Sequence, residues 1–423
     1  TLSLHDALPI WQQCVQCARP RRSLCPFCFI MTALQHPFVV VLPVFCIGLT
    51  AGYYFPSEFY LAPAIAVGAF AWWMSRKNKT LWADLSILLL CLLIGAQRMS
   101  ASLLDTGEEQ ELSILEKKAA KIPDTLAARF KDAGLQGDEM HLTAALALGK
   151  RSELSSETKD KFRQVGASHL LALSGMHLGI IYGLLCIICV RWVRFSPFRW
   201  IALPLLVCGL WTYTLLAGMP ASLIRAAAML SMVCMGTLLF RSLPLLHTLS
   251  FSACIILFVN PLLLTDIGFQ LSCMAVLFIA LAYMPLHGCF RSWPFALRWP
   301  ARMLLLSLSA QIGTLPLSAY YFHSLPLLGP FASLFLIPVT TALIYGGLCT
   351  LIFPLPVLAS FTALCVRAEL WILETWINLF PSSMWDTLHP SLPSVILIYV
   401  VFLSVFIRIY WQASEMNRQH VSL

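Results

Sequence analysis

The chain has 423 residues, of which 59% are hydrophobic and only 11% are charged, and its mean hydropathy is +0.79. Soluble domains carry about 25% charged residues, so this composition excludes a soluble globular protein and predicts an all-α polytopic membrane protein. The formal net charge of +8 is first a guide to orientation, because lysine and arginine concentrate in cytoplasmic loops. Most of the 15 cysteines are scattered singly through apolar runs, which favours small buried side chains over a disulfide framework.

The first 30 residues do not resemble the rest, and we interpret residues 1–30 as an artefactual or non-native leader with a plausible start at Met31. Four cysteines in this leader follow a C-x2-C-x7-C-x2-C pattern: Cys14, Cys17, Cys25 and Cys28. Their pairing is that of a small zinc knuckle, although the central loop is unusually short. A metal site there is the weaker alternative, and we predict no cofactor elsewhere.

About twelve apolar runs follow, each interpreted as a transmembrane helix. Three of them form an N-terminal group within residues 31–97. The predicted spans are 38–54, 61–74, 81–96, 169–190, 200–216, 222–240, 247–263, 268–283, 303–320, 327–351, 357–379 and 394–409.

Residues 98–165 are the one sizeable polar stretch, and their pattern predicts short amphipathic helices on the outer face of the membrane. Pro123 interrupts one helix, Asp124 can cap the next, and Asp138 can cap a helix that ends near Gly149. A solvated helical hairpin without a ligand would give the same pattern.

The loops support one orientation, because cations alternate with uncharged or acidic loops along the chain. The loops near residues 218–220, 266 and 381–393 contain no lysine or arginine and are predicted to be outside. With this orientation, residues 413–423 are predicted to form a cytoplasmic tail. The cations predicted inside are Arg76, Lys77, Lys79, Arg191, Arg194, Arg199, Arg241, Arg291, Arg298, Arg302, Arg408 and Arg418.

The stretch 166–179 places polar groups at the start of an apolar run. On one helix, His169, Ser174 and His177 would fall within an arc of roughly 140°, which predicts a polar stripe facing the bundle interior. Gly175 and Gly179 have the small-xxx-small spacing that lets a second helix approach closely. The open alternative is that the histidines only hydrogen-bond to neighbouring helices.

Three later segments also bring polar groups to predicted membrane depth: Ser222 with Arg225, Asp266 with Gln270, and Gln311. Together with the central stretch, they predict a lined polar pathway. Arg225 and Asp266 lie near the outer ends of their spans, so they could form a buried ion pair, or Arg225 could hold a phosphate in transit. The candidate pathway-lining residues are His169, Ser174, His177, Arg225, Asp266, Gln270 and Gln311.

Several of these motifs resemble the ComEC family of competence proteins. The motifs that support this resemblance are ALGK at 147–150, FRQVGASHLLALSGMH at 162–177, GMPASLIRAA at 218–227, NP at 260–261 and DIGFQLS at 266–272. The resemblance implies a competence-type channel domain over residues 166–412. It would pass single-stranded DNA through the bacterial inner membrane during natural transformation, without being an enzyme. A transporter or membrane scaffold for another substrate is the alternative.

The chain departs from the fuller family pattern in two respects. Longer members carry an oligonucleotide-binding domain and often a metallo-β-lactamase-like domain, for which no counterpart is evident in this sequence. The sequence also contains no G-x-x-x-x-G-K-[ST] phosphate loop that could couple ATP. Besides DNA and the lipid bilayer, we therefore expect separate proteins for DNA capture, strand degradation and energy supply. The sequence leaves open whether the protein forms a homo-oligomer.

Overall fold

The computed structural model describes residues 37–57, 60–76, 80–104, 122–194, 196–239, 243–323, 325–381, 384–385 and 390–421. These residues form an all-α fold, apart from a two-residue antiparallel pairing in which Leu325 faces Trp385 and Pro326 faces Met384. The predicted leader, its four cysteines and the loop 77–79 lie outside the described residues.

We number the helices in chain order, and their bounds follow. They are α1 (Pro37–Tyr54), α2 (Leu61–Arg76), α3 (Thr80–Leu104), α4 (Ile122–Asp132), α5 (Gly137–Leu148), α6 (Ser156–Gln164), α7 (Ser168–Leu171), α8 (Gly175–Arg194), α9 (Ser196–Leu216), α10 (Ala221–Leu238), α11 (Leu245–Val259), α12 (Ile267–Phe278), α13 (Met284–Leu286), α14 (Phe295–Phe322), α15 (Gly329–Ile352), α16 (Pro356–Leu379) and α17 (Leu392–Val421). A 3-10 helix spans Pro261–Thr265, a π-helical turn spans Ile279–Tyr283, a second 3-10 helix spans His287–Phe290, and the strands are β1 (Leu325–Pro326) and β2 (Met384–Trp385).

Within the described residues, six helices are long and apolar enough to cross a membrane. They are Leu85–Leu103, Ala221–Leu238, Ile267–Phe290, Phe295–Phe322, Gly329–Ile352 and Pro356–Leu379. Six shorter apolar helices of 10–17 residues coincide with the other predicted spans. Every predicted span therefore corresponds to an apolar helix, and the number twelve for membrane crossings stays a prediction.

The contacts divide the described residues into two compact units, and the smaller unit contains the described residues within 19–111 and 243–273. Helices α1 and α3 of this unit pack closely. Gly48 of α1 lies so near the backbone of Leu92 in α3 that any side chain at position 48 would collide with it. Helix α11 packs on α1. Arg98 of α3 donates hydrogen bonds to the carbonyls of Phe258 (3.0 Å) and Val259 (3.2 Å), which satisfies the C-terminal end of α11.

The larger unit contains residues 112–242 and 274–423. Its main contacts join α15 to α16, α8 to α9 and α9 to α10. Two tyrosine hydroxyls bind carbonyls across helices: Tyr213 of α9 donates to Ala147 and Tyr345 of α15 donates to Ile180, both at 2.9 Å. These bonds hold α5 and α8 in place around the central stretch.

The expectation that residues 98–165 form amphipathic helices is wrong for α5, and their place on the outer face stays a prediction. Every residue from Leu142 to Leu148 is buried, and the helix packs against α15 and α16. Its second half is apolar apart from Thr143, whose hydroxyl binds the carbonyl of Glu139, and this is typical of an enclosed helix rather than an amphipathic one. Residues on both sides of position 166 belong to the same unit and the same apolar cluster, which includes Leu146, Phe162, Leu170, Leu336 and Val366.

Candidate functional site

The three polar residues of the central stretch do not lie on one helix, so the predicted single-helix stripe is wrong. Helix α7 ends at Leu171, Ala172 is extended, and α8 begins at Gly175. Ser174 precedes α8, and its hydroxyl oxygen accepts a hydrogen bond from the N–H of Met176 at 3.3 Å. Serine side chains compete in this way with regular helix bonding, which explains the break.

His177 is fully buried at the start of α8. Its Nδ1 lies 3.2 Å from the hydroxyl of Ser174 and accepts a hydrogen bond from the Ser174 N–H at 3.4 Å. Because Nδ1 is the acceptor, the neutral ring carries its proton on Nε2, which has no hydrogen-bond partner among the described residues. His177 also lies within electrostatic range of His169 and Arg151. His169 on α7 and His177 on α8 are therefore close to each other across the break between the two helices, and not along a single helix as predicted.

The two glycines of the predicted packing motif differ. A side chain at Gly175 would touch Cβ of Ala226 on α10 at 3.6 Å, so this glycine lies at a contact between α8 and α10. A side chain at Gly179 would meet nothing within 4 Å among the described residues. Of the two glycines, the described residues place only Gly175 at a contact between helices, and the packing motif stays a prediction.

Helix α10 brings a buried cation close to the same break. Its Ser222 hydroxyl donates to the carbonyl of Leu173, which attaches the start of α10 to the segment before α8. Arg225 follows one turn later, and only 5% of it is exposed. The Arg225 side chain is thus enclosed by protein. The sequence alone also allowed this side chain to extend to the membrane surface.

Asp266 and Gln270 lie in the smaller unit, whereas Arg225 lies in the larger one. Asp266 is exposed, and its Oδ2 accepts the N–H of Phe269 at 2.7 Å, as a helix cap does. The ion pair between Asp266 and Arg225 stays a prediction. Gln270 donates to the carbonyl of Leu264 at 3.0 Å.

Gln311 lies in the middle of α14, as predicted, in the larger unit. Its amide nitrogen donates a hydrogen bond to the carbonyl of Pro326 in β1. This bond attaches the β1 segment to α14, so the side chain has a structural partner. A pathway-lining role for Gln311 stays a prediction.

One buried acid escaped the sequence reasoning. Glu369 of α16 is fully buried, with Oε1 2.8 Å from the Thr340 hydroxyl and Oε2 without a partner among the described residues. A glutamate inside the apolar run 357–379 was the available signal, because an acid at membrane depth is a functional hypothesis by default.

Several cations around α6 are neutralised by pairs. Lys150 binds Asp124 at 3.1 Å and Glu153 at 2.8 Å, and the hydrogen bond that Lys150 donates to Glu153 is the main cause that raises the pKa of Lys150. Lys161 binds Glu157 at 2.8 Å and Glu374 at 2.9 Å. These bonds raise the pKa of Lys161, and the hydrogen bond from Lys161 lowers the pKa of Glu157.

A second group of cations in the same segment lines a cavity of about 520 Å³. The cavity lies between the loop after α5, helix α6 and helix α7. Its polar lining residues are Arg151, Ser152, Lys159, Asp160, Arg163 and Ser168. Sequence reasoning missed this cavity because the cations are separated in the chain and converge only when α6 folds back beside α7.

No group of three or more histidine, cysteine or acidic side chains is arranged to hold a metal ion within the part of the chain that the structure describes. The site is instead a set of buried and half-buried polar groups among apolar helices. Such helices, with enclosed His177, Arg225 and Glu369, define a multi-pass membrane protein.

The chain belongs to the competence protein family, because the family model described as "Competence protein" matches residues 146–413. It is 28% identical over 285 residues to ComE operon protein 3 of Bacillus subtilis, covering 66% of this chain and 35% of that one. It is 29% identical over 248 residues to Recombination protein 2 of Haemophilus influenzae, covering 54% and 31%. A third relative, an uncharacterized protein of Aquifex aeolicus, is 30% identical over 236 residues, covering 55% and 51%.

The chain thus spans about a third to a half of the length of these curated relatives. No solved structure gives a significant match. The matched family segment begins in α5 and includes His177, Arg225 and Glu369.

Proposed function

We propose that this protein forms a channel in the bacterial inner membrane that passes single-stranded DNA into the cytoplasm during natural transformation. Membership of the competence family supports a role in DNA uptake. The six long apolar helices of the described residues support a multi-pass arrangement. The C-terminal tail then lies in the cytoplasm, consistent with the cations predicted inside.

Arg225 is the observation that carries the proposal. A buried arginine in an apolar helix is expensive in free energy, so Arg225 is a functional candidate by default. Its guanidinium presents five donors in a planar fork that matches phosphate oxygens, and such charge-assisted bonds are about twice as strong as neutral ones. A DNA backbone offers these phosphates at every nucleotide, without regard to sequence.

The proposed role is passage rather than catalysis. We expect partner proteins to take part in DNA capture, strand degradation and energy supply. The pathway candidates His177, Ser174 and Arg225 lie on α8, before α8 and on α10, which are joined by the bond from Ser222 to Leu173. His169 contributes from the neighbouring helix α7.

The test is a deletion strain complemented with the wild-type gene, Arg225→Lys, Arg225→Ala or Arg291→Ala. Arg291 is an exposed arginine of the same unit and controls for loss of one charge. We expect the deletion to abolish transformation and Arg225→Ala to lower the internalised, nuclease-resistant DNA at least tenfold. Arg225→Lys should retain part of it, because lysine keeps the charge but not the fork.

Membrane abundance is measured beside DNA entry for every variant. Normal transformation in the deletion strain would refute the channel. A fall in DNA entry that merely follows a fall in abundance would assign Arg225 to folding.

A further inference from the structure

We propose that the cavity between α6 and α7 is a binding site for the backbone phosphates of the DNA strand, placed immediately before the pathway helices. This inference rests on the proposed function and adds a subsite to it. The cavity is formed within the larger unit, and its lining begins two residues after the Gly149 turn that ends α5.

The charge arrangement is the first reason. Lys150, Lys161 and Arg367 are each bonded to carboxylates, at 2.8–3.1 Å. Arg151, Lys159 and Arg163 have no ion pair to any residue that the structure describes, and all three are exposed. Arg151, Lys159 and Arg163 thus converge on one cavity without an ion pair to any described residue, which is the pattern expected where an external anion supplies the counter-charge.

The fold makes this separation possible. Lys159 and Arg163 lie four residues apart on α6 and therefore share a face of the helix. Lys161 lies between them on another face, where it reaches Glu374 of α16. Helix α6 therefore uses one face to attach to the bundle and leaves a basic face toward the cavity.

The lining also indicates which part of the strand is bound. Arginine, lysine and serine groups can all donate hydrogen bonds to phosphate oxygens. The lining contains no aromatic side chain on which a base could stack. The cavity, at about 520 Å³, lies in the size range of roughly 300–1,000 Å³ typical of ligand pockets. The site would therefore hold the backbone without reading the bases.

Asp160 explains how the strand could be released again. Its carboxylate repels a phosphate, while the three cations keep the lining net positive. A conducting pathway needs sites that bind well enough to admit the substrate and weakly enough to let it leave. Arg151 of the lining also lies within electrostatic range of the buried His177.

The test uses the purified full-length protein in nanodiscs and a labelled single-stranded oligonucleotide, with affinity measured at several salt concentrations. The test variant is Lys159→Gln/Arg163→Gln. The matched control is Arg129→Gln/Lys131→Gln, which removes the same two charges from exposed positions of α4 outside the cavity. Unchanged thermal melting of both variants shows that they fold.

We expect the test variant to bind more weakly and its slope of log affinity against log salt to become shallower by about 1.4, since each phosphate contact to a single strand contributes about 0.7. The control should keep the wild-type slope, and homopolymers of different bases should bind wild type alike. Arg151→Gln should weaken binding further.

Three outcomes would overturn the inference. Equal slopes for the test and control variants would place the contacts elsewhere while leaving the channel proposal intact. A strong preference for one base would contradict backbone recognition. Loss of binding to vesicles of anionic phospholipid, with DNA binding unchanged, would assign the cavity to lipid headgroups. Failure of the channel proposal itself is distinguished by normal transformation in the deletion strain.

Discussion

The hydroxyl oxygen of Thr340 lies 2.8 Å from Oε1 of Glu369 and 2.9 Å from the carbonyl oxygen of Leu336. Both side chains are fully buried in the larger unit, where α15 packs against α16. A hydroxyl has one proton, so it can donate to only one of these oxygens at a time. The Thr340 hydroxyl is therefore the polar contact that takes the place of water at the buried Glu369 carboxyl group.

Thr340→Val should lower the apparent melting temperature of the purified protein, because it removes the partner of a buried carboxyl group. We expect a loss of about 1–3 kcal/mol in the free energy of unfolding. Thr341→Val is the matched control, since the Thr341 hydroxyl binds the carbonyl of Ile337 rather than Glu369. The double variant Thr340→Val/Glu369→Leu should recover most of the loss, and strictly additive losses would contradict the coupling.

Gly166→Ala should reduce the amount of folded protein in the membrane. Gly166 has φ of 77°, and a side chain there would collide with the ring of Pro326. Gly179→Ala is the control, because its surroundings are open and alanine favours a helix by roughly 0.5–1 kcal/mol. Abundance by immunoblot checks both, and equal loss for the two variants would disprove the packing argument.

The Lys161 pairs should make part of the stability depend on pH. Glu157 has its pKa lowered from 4.5 by the hydrogen bond with Lys161. Its contribution is therefore fully present above pH 4.5 and is lost as the pH falls through the lower pKa of the folded state. Melting temperatures of wild type and Lys161→Met should converge over this acid range. A difference that persists unchanged there would rule out the ion pair as its source.

His177→Ala should lower both DNA entry and thermal stability, because it removes a buried ring and leaves the Ser174 N–H without its acceptor. His169→Ala should lower DNA entry with a smaller loss of stability than His177→Ala, since the residue is more exposed than His177. Internalised DNA and melting temperature are measured for each variant. Equal destabilisation by the two changes would assign both histidines to structure.

The orientation can be tested with topology reporters. A reporter fused after Lys79 or Arg298 should report the cytoplasm, and one inserted near Glu108 or Ser383 should report the outer side. The expectation comes from the uneven distribution of lysine and arginine between loops. An outer signal after Arg298 would overturn the assignment of the loops.

The helix positions were predictable because each span is a long apolar run bounded by charges, proline or glycine. The run 222–240, for example, corresponds to α10 at Ala221–Leu238. The break before α8 was not predictable from periodicity, because the apolar pattern continues through it. It depends on local bonds from Ser174 and on the bond from Ser222 to Leu173, which only the folded chain brings together.

The candidate site was predictable only in part. Arg225 and the central histidines stand out as polar residues in apolar sequence, and the structure buries Arg225 and His177. The role of Asp266 as a helix cap depends on backbone geometry that spacing alone does not reveal. The basic cavity depends on which cations are bonded to acids, a property of the tertiary fold.

Arg98 binds carbonyls of residues that lie 160 and 161 positions further along the chain. At translation speeds of roughly 5–20 residues per second, the first three helices wait about 8–32 seconds before α11 is synthesised. During that interval the guanidinium of Arg98 is without its final acceptors. The first three helices are therefore synthesised well before the carbonyl groups that accept the hydrogen bonds of Arg98, so this contact between α3 and α11 forms late.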